Sequence, residues 1–188
     1  CKGINLLHFA IMGSAYYSIV EGEENPRVAL LNNGTEEHKG NELVKETYPL
    51  MLNLPVNFVG NVEGKEVMSG NVDVIVTDGF AGNALLKGVE GTASAILSVL
   101  KSEIKSHPMS MFGALFMKKT FKALKTKLSA DKHGGAPFLG VKKLIVKNHG
   151  SCKRDNITAS INQVVKLYKN NLIEKIEKLI TEMKVEED

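Results

Sequence analysis

Cysteine is scarce in this chain. Cys1 and Cys152 are the only two, with no C-x-x-C pair and no metal-like spacing. No disulfide framework or metal site is expected, and reduced cytosolic thiols are the default. No apolar run approaches the roughly 20 residues that span a bilayer, so no transmembrane helix is expected. The chain starts Cys1-Lys2-Gly3 without an initiator Met or a signal-peptide layout, which reads as a fragment beginning mid-domain. The familiar catalytic signatures are missing too. There is no G-x-S-x-G elbow, no H-E-x-x-H, no Walker lysine loop and no G-x-G-x-x-G.

What is present reads as one ordinary globular α/β domain over residues 1–188. Hydrophobic residues make up 43% and charged residues 24% of the chain, a balance that argues against disorder. The most informative stretch is Asp73–Lys87, DVIVTDGFAGNALLK. Asp73–Thr77 is a β-branched run suited to a buried parallel strand. Asp78-Gly79-Phe80-Ala81-Gly82-Asn83 reads as a turn. From Ala84 a helical period takes over through Leu85, Val89, Ala93, Ile96 and Leu100. Strand, glycine turn and helix start together point backbone N–H groups, at the positive end of a helix dipole, toward an anion.

Other segments repeat this pattern. Asn5–Val20 reads as a helix with Leu6, Ala10, Gly13, Tyr17 and Val20 on one stripe. Gly13 costs it about 1 kcal/mol relative to Ala, which predicts close packing at that point. Arg27–Asn32 is a buried-strand candidate, followed by a polar turn over 33–42 and a helix with Leu43, Tyr48 and Met51 inward. Asn57–Gly60 is a third short strand, with a turn-rich stretch from Asn61 to Lys65. Val141–Val146 is strand-like, and Asn148-His149-Gly150-Ser151 follows it. Strands alternating with helices predict a mostly parallel sheet whose ligands gather at the strands' carboxyl ends. The turns after Asn32, Gly60, Thr77 and Val146 are therefore expected on one rim. Asn156–Val185 carries a stripe at Ile161, Val165, Tyr168, Leu172, Ile176, Leu179 and Met183, as one helix or as two broken near Asn170-Asn171.

Residues 106–133 read as a helical insertion of another character. Between Lys101 and Lys132 there are eight lysines against Glu103 and Asp131, a local balance of +6 within a net charge of +3. Large apolar side chains accompany them, among them Met109, Phe112, Leu115, Phe116, Met117, Phe121 and Leu124. This is a basic amphipathic excursion.

Several residues could carry chemistry. Lys39, among Gly34, Gly40 and Asn41, can place a positive charge over an anion, or can simply be a solvated lysine opening a helix. Asn83 reads as a helix cap, which is also where an anion would sit. His149 is placed for proton transfer or for a purely positional role. Cys152 is a nucleophile or a small filler.

Five stretches in register carry a resemblance. They are Asn32–Glu42, Phe58–Gly64, Asp73–Lys87, Gly134–Gly140 (GGAPFLG) and Asn148–Ser151. Together they resemble the phosphate acyltransferase (PlsX) family of bacterial phospholipid synthesis, from Cys1 to about Ser160, with this chain similar to its carboxyl-terminal portion. The resemblance implies transfer of a long acyl group from acyl carrier protein to inorganic phosphate, giving an acyl phosphate. It implies a three-layer α/β/α sandwich like that of isopropylmalate dehydrogenases and phosphotransacetylases, and a homodimer. No metal, redox cofactor or nucleic-acid partner is implied. Lys39, Asn83 and His149 are the catalytic candidates. Gly34, Thr35, Gly40, Asn41, Asp78, Gly79 and Gly82 are the candidates for holding phosphate or substrate. Phe112, Leu115, Phe116, Lys118, Lys119 and Lys122 would meet the inner face of an anionic membrane, making the protein cytoplasmic and peripherally bound. The same stripe could instead pack in a dimer or dock the carrier protein. A coenzyme A-dependent phosphate acetyl- or butyryltransferase and a non-catalytic lipid-surface module are the competing readings.

Overall fold

The computed structural model describes residues 1–128, 134–150 and 152–183, without the side chains of Lys122 and 125–128. Its centre is a parallel sheet of β1 (Arg27–Asn32), β2 (Asn57–Glu63) and β3 (Val74–Val76) in the order β2-β1-β3. Val28, Ala29 and Leu30 of β1 are all buried, so both faces of the central strand are covered. A continuous apolar run, rather than an alternating one, follows from that position. Helices lie on both sides of the sheet, which makes an α/β/α arrangement.

α1 (Gly3–Glu21) is the main partner of the sheet. Leu6, Leu7, Ala10 and Ile11 share one core cluster with Val28, Leu30 and Val76 of the strands. Val44 and Met51 of α2 (Glu42–Met51) close that cluster. Met12 and Ala15 turn to a second cluster with Leu167, Leu172 and Ile176. By length and hydropathy α1 passes as a membrane-crossing helix. Packed between the sheet and other helices, it is a core element here. Gly13 faces β3: a Cβ there would lie 2.7 Å from Val74 Cγ1, which is the close approach its glycine predicts.

The ends of the strands that begin the sheet are locked together. The Asp73 carboxylate accepts hydrogen bonds from Arg27 through its backbone N–H (2.8 Å), Nε (2.8 Å) and Nη2 (2.9 Å). The guanidinium and the backbone N–H hold the Asp73 pKa down to about 2.

Three expectations are corrected. β2 does not stop at Gly60. Asn61, Val62 and Glu63 continue it, pairing with Leu30, Leu31 and Asn32 after a bulge at Val59-Gly60. Gly60 has φ +95°, the left-handed backbone that carries the extra residue. Next, Asp78–Asn83 is not a turn, because α3 (Gly79–Ser106) starts immediately after Asp78. Finally, the carboxyl-terminal stripe holds only in part: the segment takes the second of its two expected forms, α6 (Arg154–Lys169) and α7 (Leu172–Glu182) broken at Asn171 with φ 50°, and the stripe fails on α6. α7 buries Leu172 and Ile176 as expected. α6 buries Ser160, Gln163 and Leu167 and leaves Ile161, Val165 and Tyr168 exposed.

Between them, α4 (Pro108–Phe116) and α5 (Lys118–Leu128) follow α3. No residue of α3 or α4 is buried. β4 (Ala136–Phe138) and β5 (Ile145–Lys147) form a separate antiparallel pair rather than joining the parallel sheet. The expected strand from Val141 is therefore shorter and lies elsewhere.

Candidate functional site

All three parallel strands end at one cleft. Asn32 and Asn33 follow from β1, Gly64 from β2, and Thr77 and Asp78 from β3. The connection after β1 leads to one side of the sheet, while β3 lies on the other. The gap between their carboxyl ends is thus a switch point of the kind where open α/β sheets bind ligands. The cavity there is about 400 Å³.

Two helix starts meet at this cleft, since Asn41, the cap of α2, and Asp78, the cap of α3, both line it. Asn41 Oδ1 accepts the Val44 N–H at 3.0 Å. Asp78 Oδ1 accepts the N–H groups of Phe80 (2.8 Å) and Ala81 (2.9 Å). The two ends are chemically unequal. At α2 the cap is neutral, and the Glu42 and Leu43 amides stand at the first two helical positions, where no intrahelical partner exists. At α3 a carboxylate already occupies the amides. At α2 an anion meets a neutral cap, with the exposed Glu42 carboxylate of the first turn turned to Lys45 (3.9 Å), whereas at α3 it must compete with Asp78 for the same amides.

The loop between β1 and α2 is held from both sides. The Asn32 amide donates to the Lys39 carbonyl (3.0 Å) while its oxygen accepts from Asn33 N–H (2.8 Å). Asn61 donates to the Glu36 carbonyl (2.9 Å), tying the loop to β2. Gly40 is at φ +105°, with Asn32 Oδ1 only 2.5 Å from where a Cβ would be, so no other residue fits that backbone.

The expected site residues separate into groups. Gly40, Asn41 and Asp78 line the cleft. Gly34 is buried beneath the Lys39 stem, whose Cγ would lie 3.0 Å from a Cβ added there. Thr35 and Lys39 are exposed on the same loop. Gly79 and Gly82 are in the first turns of α3. The Gly82 N–H is bonded to the Asp78 carbonyl (3.0 Å) as an ordinary helix bond, and a Cβ there would lie 2.6 Å from Thr77 Cγ2. Asn83 is exposed and inside the helix rather than at its cap.

His149 does not share this cleft. With Asn148 and Cys152 it lines a second cavity of about 400 Å³ that includes Lys87, Glu90, Gly134, Gly135 and Lys147. α3 is the wall between the two: Ala81 and Leu85 face the first, Lys87 and Glu90 the second. At 3.6 residues per turn, Leu85 and Lys87 point to nearly opposite sides. The single rim expected for four turns is thus two clefts, because β5 is outside the parallel sheet. Ser151, at the end of that motif, lies outside the described residues.

Phe112, Leu115, Phe116, Lys118 and Lys119 are exposed on α4 and α5. Phe112 and Phe116 stack edge-to-face with centroids 5.6 Å apart. Lys122 belongs to α5, but its side chain is outside the described residues, as is the expected end of this segment at 129–133. Among the described residues, no cluster of His, Cys, Asp and Glu has the makings of a metal site. Sequence reasoning missed Asn32, Asn33, Asn61 and Thr77. The signal for Asn32 was its position as the last residue of a buried strand, facing the turn.

Residues 1–175 match the family described as fatty acid synthesis protein. The chain is 50% identical over 176 residues to a phosphate acyltransferase of Helicobacter hepaticus, covering 94% of this chain and 53% of that protein. It is 46% identical over 177 residues to one from an Exiguobacterium species, covering 94% and 54%. It is 44% identical over 183 residues to one from a Nitratiruptor species, covering 97% and 55%. The chain spans about half the length of the curated relatives it matches.

Proposed function

The chain belongs to the fatty acid synthesis protein family, and on that premise we propose that it supplies the phosphate and acyl cleft of a phosphate acyltransferase. The observation that carries this reading is the meeting of two helix starts, one neutrally capped, at the carboxyl edge of the sheet. The proposed acceptor is inorganic phosphate, seated on the amides that open α2 with Lys39 as the adjacent cation. The proposed donor is a long-chain acyl thioester of acyl carrier protein.

The chemistry asks little of side chains. A phosphate oxygen attacks the thioester carbonyl, the C–S bond breaks, and the phosphate's proton leaves with the thiol. Phosphate is already nucleophilic and the thioester already activated, so alignment and charge stabilisation suffice. Lys39 offsets the phosphate charge. Asn83, in the second turn of α3, is proposed as a donor toward the carbonyl oxygen; two residues beyond Ala81 it faces away from the first cleft, so it acts only on a donor that passes over the helix. His149 stands across α3 and takes part only where the donor passes over that helix.

The exposed apolar side chains of α4 support contact with an anionic membrane surface on the cytoplasmic side. Phe112 is 67% and Phe116 80% exposed, and Lys118 and Lys119 follow directly. Apolar groups beside lysines are the pattern of interfacial binding. A homodimer is proposed as well, supported by the length of α3 that covers no core.

Incubation of the full chain with phosphate and either hexadecanoyl carrier protein or acetyl coenzyme A tests the reading. Acyl phosphate from the long-chain donor is expected. Turnover with acetyl coenzyme A alone would favour the short-chain enzyme, and turnover with neither would favour a lipid-surface module.

A further inference from the structure

The first cleft is polar only at its rim. Asn32, Thr77 and Asp78 stand at the strand ends and Asn41 at the start of α2, and beneath them the cavity is lined by hydrocarbon. Leu6 and Val76 form its buried floor, and Leu43 and Leu85 form half-buried walls on α2 and α3. Phosphate needs no such lining. Water over these side chains gains nothing, whereas hydrocarbon laid on them is removed from water along its length.

From this we infer that the apolar floor holds the acyl chain of the donor, and that Leu85 and Leu43 set how long a chain is accepted. The inference rests on the acyl-transfer reading and deepens it. A free fatty acid and a thioester present the same hydrocarbon to this floor, and on the acyl-transfer reading the occupant is the chain of the thioester. Leu85 lies seven residues beyond Asp78 along α3, about 10 Å at the helical rise. It therefore meets the middle of a long chain and lies past the end of an acetyl group. Leu85 also reaches toward Gly64, where a Cβ would sit 3.5 Å from its Cδ1, so a larger side chain at 85 has to grow into the cavity.

Leu85→Trp and Leu43→Trp, each in the full chain, approach the cavity from opposite walls. Two quantities are read: the ratio of hexadecanoyl to butyryl turnover, and displacement of a fluorescent hexadecanoyl thioester at equilibrium. Circular dichroism and urea melts confirm that both variants fold. The expected result is a fall of about tenfold or more in that ratio and in long-chain binding, with butyryl turnover retained in Leu85→Trp, whose residue takes no part in the anion seat. An unchanged ratio and unchanged displacement in both folded variants would overturn the inference while leaving acyl transfer intact. Chain binding lost in the variants, with no acyl phosphate made even by the wild type, would uphold the pocket and overturn the reaction.

Discussion

Gly13→Ala is the sharpest test of the packing that positions the cleft. On an exposed helix this change stabilises by about 1 kcal/mol, because Ala restricts the unfolded chain and fits the helix. Here the new Cβ would meet Val74 Cγ1 at 2.7 Å, while ordinary contact begins near 3.4 Å. Val74 is β-branched and stands on a strand paired to β1, so its χ1 has little room to rotate away. Overpacking of this kind costs about 1–3 kcal/mol. The net expectation is a loss of about 0–2 kcal/mol, the opposite sign from the helix-only value. For a chain of this size each kcal/mol moves Tm by about 2–4 °C. Urea melts of the wild type, both single variants and the double variant with Val74→Ala supply a cycle. In the Val74→Ala background Gly13→Ala should regain its stabilising sign, with a coupling of about 1–3 kcal/mol. Equal stabilisation in both backgrounds would refute the close-contact argument.

Four further outcomes follow from the geometry. Asp78→Ala removes the α3 cap and should cost about 1 kcal/mol in a thermal melt, whereas Asp78→Asn keeps an acceptor and should lie near wild type. By removing the competing carboxylate, Asp78→Asn should also lower the phosphate KM several-fold in steady-state assays; an unchanged KM would mean that phosphate does not approach α3. Lys39→Ala should raise the phosphate KM about tenfold or more, given the strength of charge-assisted hydrogen bonds, and a normal KM would remove Lys39 from the site. Because Arg27 holds Asp73 near pKa 2, below its ordinary 3.8, the pair's contribution is fully present above pH 4. It is lost as pH falls from about 4 through about 2. Urea midpoints should therefore decline more steeply across that interval in the wild type than in Asp73→Asn. Phe112→Asp with Phe116→Asp should release the protein from anionic vesicles in a sedimentation assay, and undiminished binding would assign that face to another partner.

Much of this was written plainly in the sequence, and the failures have specific causes. Arg27–Asn32 was legible because a strand covered on both faces has a continuous apolar run. Asp78–Asn83 looked like a turn because glycines usually mark turns. Gly82 is there for another reason: a helix starting at Gly79 brings residue 82 against Thr77, which leaves no space for a Cβ. Asn61–Glu63 looked like loop because its strand character comes from pairing with β1 across a bulge, and local composition does not record pairing. The α6 stripe failed differently. Ile161, Val165 and Tyr168 are spaced as a core face, yet the buried face is Ser160, Gln163 and Leu167, where Gln163 reaches Tyr16 OH (2.6 Å) and Ser160 reaches Asn148 (2.7 Å). Polar groups that bond one another can be buried, here with Gln163 Oε1 left unpartnered among the described residues, and periodicity counts only the apolar ones. His149 was assigned to the rim on order in the chain alone, which does not reveal that β4 and β5 pair apart.

The opening of α2 has a consequence for how this protein is to be probed. The donors proposed to face the anion are the main-chain amides of Glu42 and Leu43, and no codon change deletes an amide except one to proline, which also fixes the backbone. Beyond Lys39, side-chain scanning across the cleft will therefore report a shallow landscape even if the seat for the anion is strong. Replacing the Leu43 amide by an ester, through chemical synthesis or an α-hydroxy acid, removes one donor while leaving every side chain in place. A gap between a mild scan and a severe ester effect would be the signature of recognition written into the chain's path.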